Sequence, residues 1–164
     1  MTTDPFTDVY NAIWNALEAS ADFCGAILPG NRIKFTTDGD VPYKAAVQDG
    51  DLPEAMLTPG GGGPFQPGRT STSASVTQTF RLTLSTGDLR YHKSAGPLKW
   101  IVFRALAQAG QTLGTTGLVR KVTFSDSSDL PDDRAMQRGV RGWTVSITIT
   151  AELWLSRQAD LGTP

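Results

Sequence analysis

Two neighbouring stretches decide the fold. They are Val76-Thr77-Gln78-Thr79-Phe80-Arg81-Leu82-Thr83-Leu84-Ser85 and the segment from Gly96-Pro97-Leu98 to Leu113. In the first, Val76, Phe80, Leu82 and Leu84 share one face, and Thr77, Thr79, Arg81, Thr83 and Ser85 share the other. A period of two is the mark of a half-buried strand. In the second, apolar residues fall at Leu98, Ile101, Val102, Ala105, Leu106, Ala109 and Leu113. Steps of three and four place them along one side of a helix. Pro97 suits the first helical turn, where its missing N–H costs nothing. Gly114 is the expected stop. A sheet face and a helix stripe so close in the chain are predicted to pack on each other.

Working outward toward the N-terminus, Asp4-Pro5 opens another helix, with Asp4 as N-cap and Pro5 in its first position. Phe6, Val9, Tyr10, Ile13, Trp14 and Leu17 follow at helical spacing, and the helix is expected to end between Ser20 and Phe23. Asn31 to Thr36 alternates, with Ile33 and Phe35 on one face and Arg32 and Lys34 on a solvated one. This predicts a short strand. Pro53 to Thr58 reads as a second short strand, near a sheet edge because of its proline. The segment 59–74 holds Gly60-Gly61-Gly62-Gly63 and Ser/Thr-rich sequence, and is expected to be a flexible loop.

Toward the C-terminus, Leu118 to Phe124 predicts a strand with Leu118, Arg120, Val122 and Phe124 on one side. The segment 125–142 reads as a long polar loop, acidic at first (Asp126, Asp129, Asp132, Asp133) and then basic (Arg134, Arg138, Arg141). Trp143 to Leu155 alternates for its whole length and is rich in β-branched residues. At about 3.3 Å per residue this strand reaches roughly 40 Å. Residues 158–164 are expected to fray. The predicted architecture is one α+β domain over 1–164, a mainly antiparallel sheet with two amphipathic helices packed on one face.

The chain has 164 residues and a formal net charge of -1, so no basic footprint points to nucleic acid as the main partner. No apolar run approaches a membrane span. Met1 to Pro5 shows no signal-peptide pattern, and Cys24 is the single cysteine. Synthesis in the cytoplasm is the expectation. His92 is the only histidine; with one Cys and one His, a zinc cluster is excluded. No Gly-x-Ser-x-Gly elbow accompanies His92. The glycine run lacks the Gly-Lys-Ser/Thr of a phosphate loop, and the aspartates of 126–133 miss the EF-hand spacing. No catalytic, cofactor-binding or metal residue is assigned, and the reading is a structural protein rather than an enzyme. Trp100 and Phe103 lie beside the main stripe of their helix, and Trp154 points to the polar face of the last strand. Either a second core layer covers these aromatics, or they join Arg69, Arg134, Arg138 and Arg141 as subunit or partner contacts.

The layout resembles the tail-terminator (tail-completion) proteins of long-tailed bacteriophages. The resemblance rests on Asp4-Pro5-Phe6-Thr7-Asp8-Val9-Tyr10-Asn11-Ala12-Ile13-Trp14 and Pro29-Gly30-Asn31-Arg32-Ile33-Lys34-Phe35. It continues through Asp51-Leu52-Pro53-Glu54, Ser85-Thr86-Gly87-Asp88, the helix from Leu98, and Arg141-Gly142-Trp143 before the last strand. It implies a virion protein made in the host cytoplasm, six copies of which form a ring on the head-proximal end of the tail tube. Its implied partners are further copies of itself, the tail tube protein and the head-connector or neck proteins, with DNA passing through the channel and no membrane or cofactor involved. A head-closure, neck or tube protein would share strands, loops and ring formation. The rival of another class is a small α+β enzyme, which would need a convergent polar pocket.

Overall fold

A computed structural model describes residues 4–35, 52–63, 66–67, 73–115, 119–131 and 142–156. Helix α1 spans Pro5–Glu18 and α2 spans Ala21–Ala26. Asp4 caps α1, its carboxylate accepting from the Thr7 N–H at 2.9 Å, and Ser20 caps α2 in the same way. Strands β1 (Arg32–Ile33), β2 (Glu54–Gly62), β3 (Gln66–Pro67) and β4 (Ser73–Ser85) follow. A 3-10 turn at Tyr91–Lys93 leads into α3, Ala95–Ala109, and the chain closes with β5 (Val119–Pro131) and β6 (Trp143–Ser156).

The sheet is mixed and mostly antiparallel, in the order β1-β2-β4-β6-β5, with β3 pairing β4 beyond the end of β2. Among the described residues, the β1–β2 pair is parallel and the others are antiparallel. β4 and β6 run side by side from Ser73↔Ser156 to Ser85↔Thr144. This register puts Phe80 beside Ile149, Leu82 beside Ile147 and Leu84 beside Val145, all buried. The helices pack on that face: Val9, Ile13 and Leu17 of α1 and Leu98, Val102 and Leu106 of α3 join the same core. Tyr10 ties the layers together, donating its hydroxyl to the Leu57 carbonyl at 2.6 Å and accepting from the Phe35 N–H at 3.1 Å. The expected α+β class, with amphipathic helices on one face of a mainly antiparallel sheet, is what the chain forms; α2 is a third, short helix.

Several boundaries differ from the sequence expectation. α3 stops at Ala109, because Gly110 takes a positive φ of 79°, and Gly114 (φ 75°) serves the turn beyond it. Of the strand predicted over 31–36, Arg32–Ile33 is strand among the described residues, and Arg32 is not solvated. Its side chain is 8% exposed, donating Nε and Nη2 to the Ile27 carbonyl at 3.0 and 2.7 Å. Phe35, expected to share the face of buried Ile33, is instead exposed.

The glycine run is not a free loop through Gly62. β2 continues to that residue, bulging opposite Thr79 between the pairs Pro59↔Phe80 and Gly62↔Gln78. Gln78 Nε2 donates to the Gly60 carbonyl at 2.8 Å, and Thr79 Oγ1 donates to that of Gly61. A Cβ at residue 60 would lie 2.5 Å from Thr79 Oγ1, so glycine is needed there to reach the neighbouring strand. Of the loop expected at 59–74, residues 59–62, 66–67 and 73–74 are therefore strand. Likewise 125–131 of the expected loop 125–142 belong to β5. A register shift at Arg120 places Val119 rather than Arg120 beside the core, and Leu118 lies outside the described residues. Residues 158–164 lie outside the described residues.

Candidate functional site

The sheet buries one face and carries hydroxyls on the other. Thr79 of β4, Thr150 of β6 and Thr123 of β5 stand in one row, and Arg81, Thr148 and Ser125 in the next. Among the described residues, no helix or strand covers this face. Near its end, Trp154 is 43% exposed. The Arg120 guanidinium lies 5.1 Å from its ring centroid, and Glu152 reaches both Arg120 (3.6 Å) and the indole N–H (3.4 Å). Simple alternation from buried Val122 would put Arg120 on the core face; the register shift between Val119 and Lys121 carries it to the open face instead.

The other distinctive region is the β5 edge. β5 pairs with β6 on one side, and among the described residues no strand pairs with its other side. An unpaired edge presents N–H and C=O groups to whatever approaches. Register shifts at Arg120 and between Asp126 and Ser128 leave a regular stretch from Lys121 to Asp126. Phe103 of α3 and Phe124 of β5 are half-buried and pack against the core.

A polar clasp holds the far end of this strand to α3. Asp129 accepts from the Tyr91 hydroxyl at 2.6 Å and from Lys99 Nζ at 3.0 and 3.2 Å. Burial pushes the Asp129 carboxyl up; the Tyr91 and Lys99 hydrogen bonds and the Lys99 charge outweigh it and hold the group below its ordinary value. Tyr91 meets Trp143 edge to face with centroids 5.4 Å apart, and the Trp143 indole donates to the Leu89 carbonyl at 2.9 Å. Nearby, Asp88 is gripped by Arg90 through side-chain and backbone hydrogen bonds, which lower its pKa to about 2.

Of the residues singled out in the sequence, Trp100 is 63% exposed, on the side of α3 away from the sheet. Trp154 is on the opposite surface, so the two tryptophans form no common patch. Phe103 goes with the core rim rather than with Trp100. Arg69, Arg134, Arg138 and Arg141 lie outside the described residues. The Lys99–Asp129–Tyr91 clasp leaves no local signal in the sequence, because its members are 30 and 38 residues apart and Asp129 falls in a stretch that reads as a loop.

The chemistry available elsewhere is sparse. His92 is exposed in its 3-10 turn. An open cleft of about 510 Å³ lies between the start of β2 and the first turns of α3, lined by Leu52, Pro53, Asp88, Lys93, Pro97 and Ile101 among others. Asp88 there is engaged by Arg90, and the Ser94 hydroxyl donates to the carbonyls of Asp88 and Arg90. Neither is arranged as a nucleophile with its base. Among the described residues, no group of three His, Cys, Asp or Glu side chains is placed to hold a metal ion, and no helix is long and apolar enough to cross a membrane. No model of a known protein family matches the chain, and no curated protein matches it.

Proposed function

We propose that this protein is a structural subunit that assembles with copies of itself into a ring capping the head-proximal end of a phage tail tube. In this role the ring, of six copies, ends tube growth and offers its outer surface to the head connector. The observation that carries the reading is the long β5 edge left without a strand partner among the described residues, in a strand whose Phe124 is half-buried. An unpaired edge offers its N–H and C=O groups to another chain, and a subunit of an assembly can use it.

A cyclic ring joins unlike patches head to tail. The two edges of this sheet are unlike. One is the thirteen-residue β5, and the other is β2, partnered by β1 at Ala55 and Met56 among the described residues. Trp100 and Trp154, exposed on opposite surfaces, suit contacts with different neighbours. The resemblance of the sequence phrases to tail terminators supplies the position in the particle.

Native mass spectrometry of the purified protein, alone and mixed with tail tubes, tests the assembly. The expected species is a closed oligomer at a sixfold multiple of the 17.6 kDa subunit. A chain that stays at 17.6 kDa in both preparations contradicts the proposal.

A further inference from the structure

We infer that a second copy of this chain docks in the cleft between the start of β2 and the first turns of α3, with Leu130 of one copy inserted into the cleft of the next. This rests on the reading of the chain as a self-assembling subunit, and it names the surfaces that meet. The argument begins at Leu130. On its side of β5 the preceding residues are Thr123, Ser125 and Ser128, paired with Thr150, Thr148 and Ser146 of β6. Leu130, paired with Thr144, breaks this run of hydroxyls and is 59% exposed. A single exposed leucine is ordinary; this one is also held in place on both sides. Asp129 before it is fastened to Tyr91 and Lys99, and Pro131 after it confines residue 130 to extended backbone. An apolar group presented on a fixed backbone docks at little ordering cost.

The cleft is the complementary hollow. Its volume of about 510 Å³ has room for a few side chains, and Leu52, Pro53, Pro97 and Ile101 give it apolar walls. Its charge is one-sided. The Asp88 carboxylate is taken up by Arg90, while the Lys93 ammonium has no hydrogen-bond or ion-pair partner among the described residues. Such a cleft suits an apolar group with an anionic neighbour. The chain supplies one, since Pro131 is followed in the sequence by Asp132 and Asp133. The two features lie in one transverse row of the sheet, at opposite edges. Glu54, next to Pro53 of the cleft, pairs with Ser85, Ser85 with Thr144, and Thr144 with Leu130. Three strand spacings, about 14 Å, separate Leu130 from the cleft edge of its own copy, so the occupant is a second copy. Unlike patches on opposite sides of a subunit are what a head-to-tail ring contact needs.

The test is native mass spectrometry of the parent and of two variants, Leu130→Asp and Pro97→Glu, each at an exposed position. Their melting temperatures stay near that of the parent. The first spoils the inserted group and leaves the cleft intact; the second puts a carboxylate into the cleft and leaves Leu130 intact. Each alone raises the dissociation constant of the oligomer at least about tenfold, and runs at 17.6 kDa where the parent assembles. Mixed in equal amounts, the two variants form a dimer and nothing larger, because one intact Leu130 and one intact cleft remain between them. A Leu130→Asp variant that assembles like the parent, or a mixture that yields no dimer, overturns the Leu130 contact and leaves the ring reading standing. A parent protein that forms no oligomer at all overturns the ring reading, and this inference with it.

Discussion

Replacing Asp129 with alanine removes the clasp between the far end of β5 and α3. The structure sets the size of the effect. Asp129 takes one short hydrogen bond from Tyr91 and two contacts from Lys99, and the Lys99 and Asp129 side chains are only 16% and 20% exposed. A solvated ion pair contributes about 0–1 kcal/mol, whereas a hydrogen bond to a charged group contributes about 1.5–3 kcal/mol. The shielded geometry favours the upper range, and the bonds share one acceptor and do not add. The expected loss is about 2 kcal/mol, or about 4–8 °C in melting temperature for a domain of this size.

Calorimetry of Asp129→Ala, Lys99→Met and the double variant at pH 7 measures it, with a coupling of about 1 kcal/mol between the two sites. The folded-state pKa of Asp129 lies below its ordinary 3.8. Its stabilisation is therefore complete above that value and disappears as the pH falls through the lower, folded pKa. The gap between parent and Asp129→Ala is accordingly wide at neutral pH and narrows in strong acid. A variant within about 0.5 kcal/mol of the parent at pH 7, the ordinary range of a surface change, refutes the clasp. A gap that does not change between neutral and strongly acidic pH refutes its electrostatic part.

Other substitutions test separate joints of the fold. Gly142→Ala puts a methyl onto the Thr86 carbonyl oxygen, beside the hydrogen bonds that link Thr86 with Trp143; chemical denaturation should show a loss of about 2–4 kcal/mol. Gly60→Ala drives against Thr79 and should lower the melting temperature, whereas Gly61→Ala, with open space around it, should leave it unchanged; equal effects contradict the strand assignment of the glycine run. Ile147→Asp buries an unpaired charge among fully covered neighbours and should abolish folding by circular dichroism, while Trp100→Ala, at an exposed site, should change stability by less than about 0.5 kcal/mol.

The elements legible in the sequence were those whose pattern is local. β4 and β6 alternate without interruption, α3 repeats its apolar stripe, and Asp4-Pro5 places both the cap and the first turn of α1. What stayed hidden depends on distant partners. Gly60 to Gly62 have no side chains to signal a strand; side chains of Gln78 and Thr79 hold their backbone in the sheet. The polar run 125–131 reads as loop because a register shift interrupts its alternation and because Asp129 gains its partners only after folding. Arg32 reads as solvated until the Ile27 carbonyl and Glu18 are brought beside it. At the candidate site, the exposure of Trp100 and Trp154 follows from their places on the helix wheel and the strand. The β5 edge, unpaired among the described residues, does not, since strand order is a property of the whole sheet.

The most direct measurement is electron microscopy of lysates from a phage whose copy of this gene has been deleted. The account predicts overlong tail tubes, unattached to filled heads, with normal length restored when the intact gene is supplied. Tails of normal length and normal attachment in the deletion lysate would contradict it.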